Sequence, residues 1–74
     1  MERYRNLGGN SGVSYFETGS DFIIVIFKGN PKHYRYSYFG GAGKYHVENM
    51  KGLAISGKGL NAYIKNHVNN LYDK

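Results

Sequence analysis

The groups in this sequence that could ligate a metal or move a proton are three histidines, His33, His46 and His67, and five carboxylates, Glu2, Glu17, Asp21, Glu48 and Asp73. Neither set has the spacing that chemistry needs. Metal sites gather His, Cys and carboxylate ligands at short, recurring intervals, and this chain has no cysteine at all. The histidines therefore read as ordinary exposed or interfacial side chains. No Ser/His/Asp grouping is visible, and three of the carboxylates fall at turns or chain ends, so no catalytic residue, metal or cofactor is expected. Gly40-Gly41-Ala42-Gly43-Lys44 has the look of a phosphate loop, in which consecutive backbone N–H groups cradle an anion. A nucleotide-binding loop of the Walker type would need glycine where Tyr38 stands and Ser or Thr where Tyr45 stands, so the segment reads as a connector.

Binding chemistry is better represented. The chain holds eight Tyr and four Phe, with ten Lys+Arg against five Asp+Glu, a net charge of +5. A basic balance permits phosphate contact, because neutralised phosphates supply most nonspecific nucleic-acid affinity. The candidate phosphate-binding residues are Lys28, Arg35, Lys58 and Lys65. Lys58 lies in Ser56-Gly57-Lys58-Gly59, just before a helix whose N-terminal dipole also attracts anions. Lys44, Lys51, Lys58 and Lys65 recur every seven residues, but Gly57 and Gly59 divide them between two short helices. Tyr34, Tyr36 and Tyr38 could stack unpaired bases, or could be core residues whose hydroxyls reach the margin.

The elements that must position these groups fit one small domain. At 74 residues a chain buries only about 60% of the surface it exposes when unfolded, so deep clefts are not expected. Residues 1–12, with three glycines between Leu7 and Gly12, read as a flexible arm, on which Arg3 and Arg5 could meet an anion. Residues 13–72 form the domain. Val13 to Glu17 and Phe22 to Lys28 are strands about a Thr18-Gly19-Ser20-Asp21 turn, and His33 to Phe39 is a third strand after Gly29-Asn30-Pro31-Lys32. Val47, Met50 and Ala54 recur at helical spacing, as do Leu60, Ile64, Val68 and Leu71. The expected fold is α+β, a three-stranded antiparallel meander followed by two helices on one face. No apolar run reaches signal-peptide or membrane-span length, and the expected location is the cytoplasm.

Register decides which side chains meet the helices. Turns of even length put Phe16 on the side of Ile23, Val25 and Phe27, and Val25 on the side of Tyr34 and Tyr36. In the simplest form Phe16 lies opposite Ile23. The expected core is thus Phe16, Ile23, Val25, Phe27, Tyr34 and Tyr36 beneath Leu60, Ile64 and Val68. The other face carries Tyr15, Glu17, Phe22, Ile24, Ile26, Lys28, His33, Arg35 and Ser37, with Val13 as a further candidate. Ile24 and Ile26 stand where a solvated sheet would place polar residues. Phe22, Ile24, Ile26 and His33 are therefore candidate interface residues, rimmed by Lys28, Arg35 and Glu17. Phe22 to Phe27 would invite aggregation at a sheet edge, which argues for the centre.

Around Tyr34-Arg35-Tyr36 the sequence resembles the KTSC domain, a short module found alone in bacterial and phage proteins and at the C-terminus of some lysyl-tRNA synthetases. That family carries a central Tyr-x-Tyr. The resemblance extends upstream through Phe16, Ile23, Val25 and Phe27, and downstream to Gly57, Asn61 and Ile64. Where the family has Val-Pro before its first helix, this chain has Phe39-Gly40-Gly41-Ala42-Gly43-Lys44. The resemblance implies RNA binding. Two readings follow: a non-enzymatic module that contacts RNA or other nucleic acid through its basic surface, or a module that dimerises or binds a protein through the open sheet face. A phage- or plasmid-encoded host-interaction protein is compatible with the second.

Overall fold

Runs of β-branched and aromatic side chains build strands here, and the computed structural model, which describes residues 1–9 and 11–73, joins four of them in one antiparallel sheet. β1 spans Glu2–Arg3, β2 Val13–Thr18, β3 Phe22–Phe27 and β4 Tyr34–Ser37, in the order β1-β2-β3-β4. The helix α1, Gly43–Ser56, follows, then α2, Leu60–Tyr63, which runs on as a π-helical turn over Ile64–Val68. The architecture is α+β, with β3 inside the sheet. No helix among the described residues is long and apolar enough to cross a membrane.

The sheet has a fourth strand because the N-terminal residues are anchored rather than free, which corrects the reading of residues 1–12 as a flexible arm. Glu2 pairs with Phe16 and Arg3 with Tyr15. Tyr4, only 3% exposed, belongs to the core; its N–H donates to the Ser14 carbonyl at 2.9 Å, and its hydroxyl accepts the Leu60 N–H at 3.2 Å. Leu7 N–H then donates to the Gly57 carbonyl at 2.8 Å. Gly8 and Gly9 thus follow an anchored segment rather than belonging to a free arm; Asn10 lies outside the described residues.

The first hairpin, in which Thr18 pairs with Ile23, makes a second correction, and a β-bulge at Ser14 a third. Phe16 lies opposite Val25, not Ile23, and Tyr15 opposite Ile26, but Val13 pairs with Phe27, so the register shifts by one residue between Val13 and Tyr15. Strict alternation from Phe16 would turn Val13 outward. The extra residue returns Val13 to the core at 1% exposure, while the Ser14 hydroxyl donates to the Ile26 carbonyl at 3.0 Å. The second hairpin keeps its even register, with Val25 opposite Tyr34 and Ile24 opposite Arg35.

Ile23, Val25, Phe16 and Tyr36 from the sheet meet Val47, Met50 and Ala54 of α1 and Leu60, Ile64 and Val68 beyond it in one buried cluster. Phe27 and Tyr34 pack at its margin, joined edge to face at 5.4 Å, and Tyr72 sits edge-on to Tyr34 at 4.9 Å. α1 stops at Gly57, whose φ of 78° lets its N–H reach the Leu53 and Ala54 carbonyls. The second helical segment ends at Val68 rather than carrying its apolar stripe to Leu71, which is partly exposed. From there the chain returns to the sheet: Asp73 N–H donates to the Arg35 carbonyl at 2.6 Å, covering that point of the β4 edge.

Candidate nucleic-acid interface

The open sheet face is organised in rows set by strand pairing. Arg3, Tyr15 and Ile26 lie side by side across β1, β2 and β3, and Glu17, Ile24 and Arg35 across β2, β3 and β4. Phe22 occupies the same face opposite Ser37. Phe22, Ile24 and Ile26 are half-buried, and Tyr15 is the aromatic side chain of this face that stays open, at 44% exposure. Much of the covering of Phe22 comes from Arg35, whose guanidinium carbon sits 4.7 Å from the ring centre. Gly19 makes room for that ring, since a Cβ there would come within 2.1 Å of it.

Arg35 is held by the C-terminal segment. Its Nη1 is 2.7 Å from Asp73 Oδ2, and Ser37 donates to Asp73 Oδ1 at 3.1 Å. This clasp buries Ser37, which parity alone would place on an open face. Arg35 therefore already has an anionic partner. His33 is exposed just before β4.

The four basic residues singled out in the sequence do not form one patch. Lys28 lines a shallow cavity of about 280 Å³ with Arg3, Arg5, Asn6, Ser14 and Tyr15, over a floor of Tyr4 and Val13. Lys58 lines a separate cavity of about 210 Å³ with Asn6, Gly8, Ser11 and Asn61. Tyr4 and Asn6 border both, so the N-terminal segment runs between them. Lys65 is exposed in the π-helical turn, on the helical layer. α2 has only four residues, and its first N–H is already taken by Tyr4, so no anion seat lies at that helix start.

What the structure adds is a fixed position for Arg3 and Arg5, which the sequence put on a loose arm. They join Lys28 at a cavity that, among the described residues, no carboxylate lines. Arg5 is positioned by its Nη2, which donates to the Ile55 carbonyl, and by Gly57, whose missing Cβ would lie 2.8 Å from Arg5 Cβ. The signal in the sequence is Glu2-Arg3-Tyr4-Arg5, where alternating polar and aromatic residues have the period of a strand.

Two further clusters of titratable groups involve α1. Tyr38 donates to Glu48, which also pairs with Lys51 at 2.8 Å; Lys51 and Tyr38 hold the Glu48 carboxyl below its usual range, and the bond to Glu48 pushes the Tyr38 hydroxyl up. His46 and His67 stack with centroids 5.8 Å apart. His46 Nδ1 lies 2.6 Å from the Tyr63 hydroxyl, which also accepts from Asn49 Nδ2 at 3.2 Å. Among the described residues no group of three or more His, Cys, Asp or Glu is placed to hold a metal ion. Tyr36, at 1% exposure, offers no stacking surface, and Tyr34 is half-buried at the core margin in edge contacts with Phe27 and Tyr72. No family model, curated protein or solved structure matches this chain.

Proposed function

We propose that this protein is a non-enzymatic nucleic-acid-binding module that engages phosphates through the N-terminal end of its open sheet face. The observation that carries the reading is the convergence of Arg3, Arg5 and Lys28 on one cavity with no lining carboxylate among the described residues. Among the described residues, the ion pairs are Arg35–Asp73 and Lys51–Glu48, so none of the three cations is spent on an internal anion. The net charge of +5 favours approach of a polyanion, and the KTSC likeness around Tyr34-Arg35-Tyr36 points the same way. Lys58 extends the basic surface across the N-terminal segment; Lys65 lies apart on the helices, and Arg35 is committed to Asp73.

Titration of labelled RNA, single-stranded and duplex, at two salt concentrations tests this. Binding should weaken steeply with salt, and Arg3→Gln and Lys28→Gln should each lower the dependence of log K on log salt by about 0.7–0.9. Absence of binding at low salt refutes the reading.

A second reading uses the same face. Ile24 and Ile26 stay half-exposed on an interior strand, where Ile24 lies between Glu17 on β2 and Arg35 on β4. Acidic and basic rims around an apolar centre are self-complementary under a two-fold axis. Sedimentation of the wild type and Ile24→Lys tests it: a concentration-dependent dimer lost in the variant supports association, and a wild-type monomer excludes it.

A further inference from the structure

We infer that the basic cavity is selective for single-stranded nucleic acid, with Tyr15 as the stacking platform for one unpaired base. The inference deepens the proposed function and rests on it. Tyr15 stands between Arg3 on β1 and Ile26 on β3, and shares its cavity wall with Lys28 and Arg5. Its ring is the exposed aromatic surface of the sheet, whereas Phe22 lies beneath the Arg35 guanidinium and Tyr36 is buried under the helices. A base in a duplex cannot offer its face to a side chain, but an unpaired base can, and the phosphates flanking it are then within the span of neighbouring side chains. Arg3, Arg5 and Lys28 border the ring on the side where the backbone would run, and Asn6 and Ser14 add hydrogen-bonding groups to the wall. Glu17, the next residue of β2 on this face, bounds the site on its other side and sets the direction in which a strand can leave. The bulge at Ser14 contributes by returning Val13 to the core, so that Tyr15 is flanked by charge rather than by an exposed valine.

Stacking on an aromatic ring is sequence-tolerant, because every base has a π face. The expected ligand is therefore single-stranded RNA or DNA of mixed sequence, and the contact should survive replacement of one base by another.

The experiment is a fluorescence titration of single-stranded RNA, single-stranded DNA and an RNA duplex of equal length, against the full chain, Tyr15→Ala and Tyr15→Phe, at one low salt concentration. Both single strands should bind more tightly than the duplex. Tyr15→Ala should weaken single-strand binding about 5- to 100-fold and leave duplex binding unchanged, and Tyr15→Phe should retain it. Circular dichroism and the thermal midpoint confirm that these exposed substitutions leave the fold intact. Equal binding of all three ligands, with Tyr15→Ala indistinguishable from wild type, overturns the stacking inference while the phosphate reading stands. No binding by any of them overturns both. A dimer that buries Tyr15 and excludes nucleic acid likewise overturns the inference, and assigns the face to a second copy.

Discussion

Tyr4 closes the core from a segment that composition alone marks as a loose arm, and removing it gives the most direct test of how this domain is held together. The ring is 3% exposed, and the hydroxyl accepts the Leu60 N–H at 3.2 Å. Leu60 is fully buried, and its N–H, at the first position of α2, has no carbonyl within the helix to bond. Tyr4→Phe keeps the ring and leaves that donor unsatisfied, which costs roughly 1–3 kcal/mol. Tyr4→Ala also opens a cavity beside Val13 and Leu60, and truncation of a buried aromatic costs roughly 3–5 kcal/mol. A domain of this size has a total stability of roughly 4–11 kcal/mol at 0.05–0.15 kcal/mol per residue. The Phe variant should therefore fold with its thermal midpoint lowered by about 4–8 °C per kcal/mol, and the Ala variant should lose a quarter or more of the total stability, with a correspondingly larger fall in midpoint. Urea denaturation followed by far-UV circular dichroism, with unchanged slope for Tyr4→Phe, measures both. Tyr4→Ala as stable as wild type would refute the anchored strand, and with it the placement of Arg3 and Arg5 at the cavity.

Gly57→Ala should destabilise by roughly 1–2 kcal/mol from the left-handed backbone alone, with φ at 78°, and by more because the new Cβ would press on Arg5 Cβ; urea midpoints check this. Burial, with the charges of Tyr34 and Tyr72, pushes the Tyr36 hydroxyl up to about 12. Its folded value exceeds its unfolded value, so the associated stability is complete below pH 10 and is lost between pH about 10 and about 12, by roughly 1.4 kcal/mol per unit. Urea midpoints measured across that range should fall more steeply for wild type than for Tyr36→Phe, and equal slopes would contradict the assignment. Asp73→Ala removes the Arg35 ion pair and the Ser37 hydrogen bond together, for a loss of about 1 kcal/mol in the same assay.

Periodicity made most of this architecture legible. Alternation in Ile23, Val25 and Tyr36 reveals which face meets the helices, and Val47, Met50 and Ala54 mark the buried side of α1 at helical spacing. Three features escaped because each depends on a contact distant in sequence. The N-terminal strand is two residues long, and composition sees only the glycines after it; its pairing partners are Phe16 and Tyr15. The bulge at Ser14 inverts parity for Val13, and no local residue type announces it. The clasp of Asp73 on Arg35 joins residues 38 apart and turns a candidate phosphate ligand into a paired cation. The same limits explain the site. Lys28 is visible as a basic residue after a strand, but its neighbours Arg3 and Arg5 become partners only through β1 pairing.

Stability and the proposed phosphate binding share one segment but not the same side chains, and that division makes the proposals separable. Tyr4 faces inward to Leu60, while Arg3 and Arg5, its two neighbours, face the cavity that Lys28 completes. Surface substitutions away from buried contacts usually change stability by less than about 0.5 kcal/mol, so Arg3→Gln should lose affinity at unchanged thermal midpoint. Tyr4→Phe should do the reverse: intrinsic affinity per folded molecule stays the same, while saturating ligand raises the midpoint through mass action. Arg5 falls between the two, because its guanidinium donates to the Ile55 carbonyl and its stem packs on Gly57. Arg5→Gln should therefore lower both the midpoint and the affinity. A variant set in which Arg3, Tyr4 and Arg5 all moved stability and affinity in proportion would mean that the segment acts only as a structural strap, and that phosphate binding resides elsewhere on the surface.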